Sequence, residues 1–198
     1  MSGGQRFEHF PSEARLARPG LCHGEMLGCM VEVFGQRDSV WVSDWLDEAS
    51  RPLFGAGRLG LGEQASMLTE LLADELGLLP DVDDHRGLLL DHAVRVGTAH
   101  PLLLATLGHE LGRRAGLHVH VCTAQRAWWT ALVDDQAYVL VGCGAEPAAG
   151  DPKLRLRCPH QVAFAALMQL MRLGPPELAA PAKRLMCALP VCHGKNDA

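Results

Sequence analysis

Three side chains that can bind metal alternate along one short segment: His118, His120 and Cys122. Apolar residues fill the positions between them, and this period of two predicts a half-buried strand with all three on one face. Side chains two residues apart on a strand lie about 6.5–7 Å apart, which is too far for close tetrahedral binding of zinc. We therefore expect a polar outer face and keep these three residues as weak metal candidates.

The seven cysteines are odd in number and irregularly spaced, which favours free thiols over a disulfide framework. Cys187, Cys192 and His193 bear a faint likeness to a haem-attachment sequence, but the spacing between the two cysteines is too long for that motif. Cys22 and Cys29 share one face of a predicted helix, where small buried hydrophobic residues are expected. The sequence thus predicts no cofactor.

Helical periodicity predicts the elements that would position such groups. Over 62–77, apolar residues recur at steps of three and four, and Gly77 follows as a C-terminal cap. A second strong helix is expected over 98–115, with Thr98 as its N-cap and Pro101 in its first turn. Further helices are predicted over 21–34, 40–46, 84–94, 160–173 and 177–188.

A change of period after this central helix predicts a small sheet. Strands are expected over 117–122, 127–133 and 137–141, with a turn at 134–136 between the last two. Residues 1–20 are polar with Gly and Pro at both ends, so a loosely held arm is expected there. Helices grouped around a small antiparallel sheet correspond to the α+β class.

Five short motifs follow one another along the chain: LCHGEML at 21–27, DELGL at 74–78, GTAHPL at 97–102, GRRAGL at 112–117, and a final helical pair ending in LP at 189–190. Their order and spacing resemble the transglutaminase-like (papain-like) superfamily, and most closely its bacterial SirB-one-type branch. The resemblance implies a transglutaminase-like core over 21–150. It also implies a tetratricopeptide-like helical hairpin over 151–198, packed on that core.

The family's Cys-His-Asp triad can be carried over only residue by residue. The resemblance places Ala99 at the nucleophile position and Gly142 at the aspartate position. At the histidine position it places Arg126, or Gln125 if the register slips by one. Alanine offers no nucleophile, arginine accepts no proton at working pH, and glycine cannot orient a base. A degenerate, non-catalytic member of the superfamily is therefore expected.

The resemblance also implies what the vacant site would become. Thr98, His100, Gln125, Arg126 and Trp128 are expected to line a groove for a protein or peptide partner. The alternative is a thiol hydrolase or transferase that uses a relocated cysteine, Cys143 or Cys122, with His100 or a strand histidine. A metal- or haem-binding protein is the third reading.

Composition and charge further restrict the classes of partner that this protein is expected to bind. The net charge of −5 and the lack of a Lys/Arg cluster disfavour nucleic acid as a partner. The N-terminal stretch has no apolar signal region and no run is long enough to span a bilayer, so we expect a cytoplasmic protein without membrane insertion. A non-catalytic interaction or regulatory module is the function that the sequence favours.

Overall fold

The structure is a computed structural model that describes residues 12–142 and 153–190. Within these residues the α-helices are α1 (Ser12–Leu16), α2 (His23–Phe34), α3 (Ser39–Ala49), α4 (Leu61–Glu70), α5 (Leu90–Val96), α6 (Pro101–Arg114), α7 (Pro159–Leu173) and α8 (Ala179–Ala188). The strands are β1 (Leu79–Pro80), β2 (Thr98–Ala99), β3 (Val119–Ala124), β4 (Ala127–Val133), β5 (Tyr138–Val141) and β6 (Arg155–Leu156). The predicted α+β class is confirmed.

The main sheet has the strand order β5-β4-β3-β6, and all of its pairs are antiparallel. The three longer strands match the predicted ones within two residues. The predicted turn is also present, since Oδ1 of Asp134 accepts hydrogen bonds from the backbone N–H groups of Gln136 and Ala137. The edge strand β6 was not predicted, because two residues carry no periodicity.

Helix α6 lies at the centre of the core and packs against β3 and β4. Leu103, Leu107 and Leu111 form its buried stripe, as the sequence predicts. On the sheet side, the hydroxyl of Thr130 donates a hydrogen bond to the carbonyl of Ala105 at 3.0 Å. This close contact is possible only because residue 108 is glycine. A Cβ added at this position would overlap the side chain of Thr130.

The predicted start of α6 is wrong. Its N-cap is His100, whose Nδ1 accepts a hydrogen bond from the backbone N–H of Leu102 at 3.1 Å. Thr98 lies instead in β2, which pairs in parallel with β1. Pro101 at the first helical position suits this later start, because its missing N–H is not needed there.

Two other predicted helices differ in the structure. The helix expected over 62–77 is α4 followed by a π-helical turn at Leu71–Glu75, and Gly77 takes the expected left-handed conformation. The helix expected over 84–94 is a 3-10 turn at His85–Leu88 followed by α5. Asp84 caps that turn through the backbone N–H of Arg86.

The arm predicted over 1–20 is held in place where the structure describes it. Leu16 of α1 is fully buried, and Arg15 pairs with Glu32 of α2 at 2.8 Å. The ring of His160 in α7 donates a hydrogen bond to the carbonyl of Arg18 at 3.0 Å. Helix α1 packs against α2 and α8, so the expectation of a loose arm is wrong for residues 12–20.

The C-terminal helices α7 and α8 pack against each other, and α7 also contacts α2 and α6. Among the described residues, none of the helices combines the length and the apolar content that crossing a bilayer requires.

Candidate functional site

Three of the predicted groove residues, His100, Arg126 and Trp128, line one cavity of about 340 Å³. The cavity lies between the start of α6, the β3–β4 hairpin and α7, which contributes Gln169 and Arg172. Of the other two predicted groove residues, Thr98 lies in β2 and Gln125 at the tip of the hairpin. The cavity therefore combines a helix N-terminus with side chains from two further elements.

The β3–β4 hairpin presents Arg126 at a conformational cost. Gln125 and Arg126 connect the strands as a two-residue turn, and their φ angles are 51° and 67°. Such turns normally use Asn and Gly, because other residues are disfavoured in the left-handed region by about 1–2 kcal/mol each. Strain of this kind at an exposed turn commonly accompanies a functional site.

Ala99, at the nucleophile position implied by the resemblance, is fully buried. The 3-10 turn that follows Asp84 covers it, and the carbonyl of Gly87 accepts a hydrogen bond from the N–H of His100 at 2.9 Å. A Cβ added at Gly87 would lie 3.0 Å from that same nitrogen, so the two backbones are in close contact. A nucleophile at residue 99 would consequently be shielded from a substrate in the cavity.

Gly142, at the position of the acidic residue, is also closed to a side chain. A Cβ at residue 142 would lie 2.5 Å from two ring carbons of Trp129. The indole of Trp129 is itself buried, and its Nε1 donates a hydrogen bond to the carbonyl of Ala124 at 3.2 Å. An acidic side chain therefore cannot occupy residue 142 unless this tryptophan moves.

Among the residues that the structure describes, His100 is the one histidine that lines the cavity. Because its Nδ1 accepts the N–H of Leu102, the ring proton of the neutral form is on Nε2. Burial lowers the pKa of His100, and the opposing effect of Asp81 is smaller. The ring is thus a neutral hydrogen-bond donor near pH 7, and it is not the imidazolium partner that a thiolate requires.

The charges around this cavity are mainly cationic. Arg126 and Arg172 line it opposite one carboxylate, Asp83. Because the N-terminus of α6 adds partial positive charge, the local field favours a carboxylate.

A second cavity of about 500 Å³ adjoins the first at Trp128, which lines both. It lies between α7 and α8, and its walls include Phe164 and Met186. Phe164 is 49% exposed, and Met168, one turn further along α7, is 44% exposed. The two cavities together, which we call the α7 groove, have an apolar end and a cationic end that meet at Trp128.

Two of the described cysteines, Cys29 and Cys122, are buried. Burial raises the pKa of the Cys29 thiol to about 11, and burial alone raises that of Cys122 to about 11 as well. Both are therefore protonated at neutral pH, which argues against Cys122 as a relocated nucleophile. Cys143, the other candidate, lies outside the described residues, as do Cys192 and His193 of the haem-like sequence.

The three weak metal candidates, His118 just before β3 and His120 and Cys122 within it, are not brought together. His118 and His120 are exposed and line a polar cavity with Asp134 and Asp135, whereas Cys122 is fully buried. Cys122 belongs to a small apolar cluster that includes Trp129. The expectation of a polar outer face is therefore wrong at Cys122, because this tryptophan covers that part of the sheet.

A different polar cluster, which the sequence did not indicate, lies between α2 and α6. One ligand atom each from His23, His109 and Glu110 lies within 4.8 Å of the other two. The two imidazole rings meet edge to face with their centroids 4.4 Å apart. His109 and Glu110 are neighbours on α6, but His23 is distant in sequence, so no local spacing could have revealed the set.

Comparisons with protein-family models, with curated proteins and with solved structures find no match for this chain.

Proposed function

We propose that this chain is a non-catalytic protein-interaction module on a transglutaminase-like core, and that the α7 groove binds an acidic peptide segment of a partner. The observation that carries the proposal is the cavity shared by His100, Arg126 and Trp128. The resemblance predicted these residues to surround a vacant site. Around that cavity, Ala99 is shielded and Gly142 has no room for a side chain.

The chemistry of the groove determines the kind of occupant. Its apolar end, walled by Phe164 and Met186, suits one large apolar side chain. Its cationic end, with Arg126 and Arg172, suits a carboxylate. The expected ligand is therefore a short segment with an apolar anchor followed by Asp or Glu.

The strained hairpin supports the same reading. Gln125 and Arg126 occupy two positions where Asn and Gly would be more stable. The cost is understandable if the arginine side chain at this tip contacts a partner.

A fluorescence-anisotropy titration tests the proposal with labelled ten-residue peptides that carry one Leu or Phe followed by two acidic residues. Matched peptides in which Lys replaces the acidic residues serve as the ligand control. We expect Arg126→Glu to weaken binding by about tenfold, which is equivalent to about 1.4 kcal/mol. The melting temperature should hardly change, because the Arg126 side chain is exposed.

Arg58→Glu is the matched protein control, since Arg58 is exposed and lines neither cavity of the groove. It makes the same change in net charge, so a loss common to both variants would indicate only long-range repulsion. Raising the salt concentration should weaken the wild-type complex, because the charged contacts are near the surface. Equal affinity for acidic and lysine peptides would contradict the proposal.

The thiol-enzyme alternative has a separate test. An activated thiol should be alkylated by iodoacetamide at pH 6, where ordinary thiols react slowly. Cys143→Ser would then abolish both the fast labelling and the cellular role. If it does so while Arg126→Glu has no effect, the interaction proposal is refuted in favour of the enzyme.

A further inference from the structure

We propose that His23, His109 and Glu110 form a binding site for a divalent transition-metal ion of the zinc class, which holds α2 against α6. The site is separate from the α7 groove and does not depend on the function proposed there. Two imidazoles and one carboxylate are a ligand set that zinc commonly takes in proteins.

The nitrogen of His109 that faces the cluster is available as a ligand. Its other nitrogen, Nδ1, lies 3.0 Å from the carbonyl of Val119, which can only accept, so Nδ1 carries the proton. Nε2 then has a free lone pair, and it lies 3.9 Å from Oε1 of Glu110. Metal-binding histidines are typically oriented by a hydrogen bond of this kind from the other ring nitrogen.

His23 supplies an independent indication. The residue is only 6% exposed, and its Nε2 is buried without a hydrogen-bond partner among the described residues. A buried polar atom without a partner costs about 1–3 kcal/mol. Coordination of an ion would remove that cost.

Glu110 provides the negatively charged ligand. Because its carboxylate already pairs with an arginine, binding of a metal ion would compete with that ion pair. Its fully buried carboxylate lies 3.0 Å from the guanidinium of Arg113, through Oε2, and 3.8 Å from Nε of Arg114. Oε1 has only a longer contact with Arg113, at 3.4 Å. Arg113 is half exposed and can turn into solvent, whereas Arg114 is paired with Asp47.

The backbone of α2 lies close to the carboxylate of Glu110 at its first turn. A Cβ at Gly24 would lie 3.0 Å from Oε2 of Glu110, so the first turn of α2 comes close to the carboxylate only because residue 24 is glycine. His23, Gly24 and the carboxylate are thereby held in one enclosed place. Three protein ligands leave a fourth position for a water molecule, and the burial of His23 and Glu110 leaves that position little access for a substrate.

The test uses the full chain, purified without a histidine tag and treated with chelator. Zn²⁺ is titrated by calorimetry, and Co²⁺ by the visible absorption of its four-coordinate complex. We expect one ion per chain and a rise in melting temperature of about 5 °C at saturation. His109→Gln should weaken zinc binding by more than about 100-fold, since loss of a second-shell partner alone costs about 10–100-fold.

Two further variants keep the inference falsifiable if His109→Gln folds poorly. Arg113→Ala removes the competing cation from an exposed side chain, so zinc affinity should rise several-fold. The double variant His118→Ala/His120→Ala removes the exposed histidines and should leave zinc binding unchanged.

Three outcomes would overturn the proposal. The first is that no zinc binds at micromolar concentrations, which would leave a buried polar cluster only. The second is that binding disappears in His118→Ala/His120→Ala, which would place the ion at the surface. The third is that Arg113→Ala weakens binding or leaves it unchanged.

Discussion

Replacing Gly108 by alanine tests how closely α6 packs against the sheet. A Cβ at residue 108 would overlap Oγ1 of Thr130 and lie 3.2 Å from its Cβ. Thr130 is fully buried, and it cannot move without losing its hydrogen bond to Ala105. Overpacking costs about 1–3 kcal/mol, an unpaired buried hydroxyl adds about 1–3, and the helix propensity of alanine returns about 1. We therefore expect a loss of about 3 kcal/mol in the free energy of unfolding.

Urea denaturation followed by circular dichroism measures this loss directly. In a chain of this length, a loss of 3 kcal/mol lowers the melting temperature by about 6–12 °C. Gly62→Ala is the matched control, because Gly62 lies in α4 and a Cβ there would meet nothing within 4 Å. That variant should be neutral or more stable by up to about 1 kcal/mol.

A double-mutant cycle with Thr130→Ala separates the proposed contact from a general effect of residue 108. Once the hydroxyl is gone, Gly108→Ala should cost at least about 1 kcal/mol less than it does in the wild type. An equal cost in both backgrounds, or a Gly108→Ala variant as stable as Gly62→Ala, would refute this account of the packing between α6 and β4.

Three other predictions concern the core, the hairpin and the thiols. Leu107→Ala should lower the free energy of unfolding by about 2–5 kcal/mol in the same urea assay, since a fully buried leucine is lost; a change below about 0.5 would contradict its placement. Gln125→Asn combined with Arg126→Gly should raise stability by about 1 kcal/mol, because both φ angles are positive, and should weaken binding of the acidic peptides. A double variant that is less stable would mean that the turn is not strained. With pKa values of about 11, the thiols of Cys29 and Cys122 are each ionised in roughly one molecule in a thousand at pH 8. Both should therefore be alkylated far more slowly than the exposed Cys187, as measured by mass spectrometry. Equal rates would contradict their burial.

Regular periodicity made the larger elements predictable. Helix α2, the buried stripe of α6 and the β4–β5 turn at Asp134 all follow from spacing and from turn residues. The two-residue ladder between β1 and β2 could not be predicted, because parallel pairing of distant residues has no local signal. The β3–β4 turn was equally obscure, since Gln125 and Arg126 are not residues that such turns normally use.

The residues of the candidate sites also differ in whether the sequence could predict them. The family resemblance indicated Ala99, Arg126 and Gly142 as the vacant triad positions. Only the three-dimensional structure shows that the Trp129 ring fills the space beside Gly142. The cluster of His23 with His109 and Glu110 depends on the packing of α2 against α6. Alternation along 118–122 predicted one polar face for His118, His120 and Cys122, because the pattern of one strand does not reveal that Trp129 of the next strand pairs with Cys122 and covers it.

The packing of α1 against the C-terminal helices affects the order in which parts of the protein fold. Nearby, the hydrogen bond between Arg18, which follows α1, and His160 of α7 joins residues 142 positions apart. At about 5–20 residues per second, the ribosome needs roughly 7–28 s to synthesise that interval. Leu16 therefore emerges long before α8 exists to pack beside it, although α2 follows directly after α1. The contacts of α1 with α2 can thus form early, whereas its contacts with α8 must wait for synthesis of the C-terminal helices.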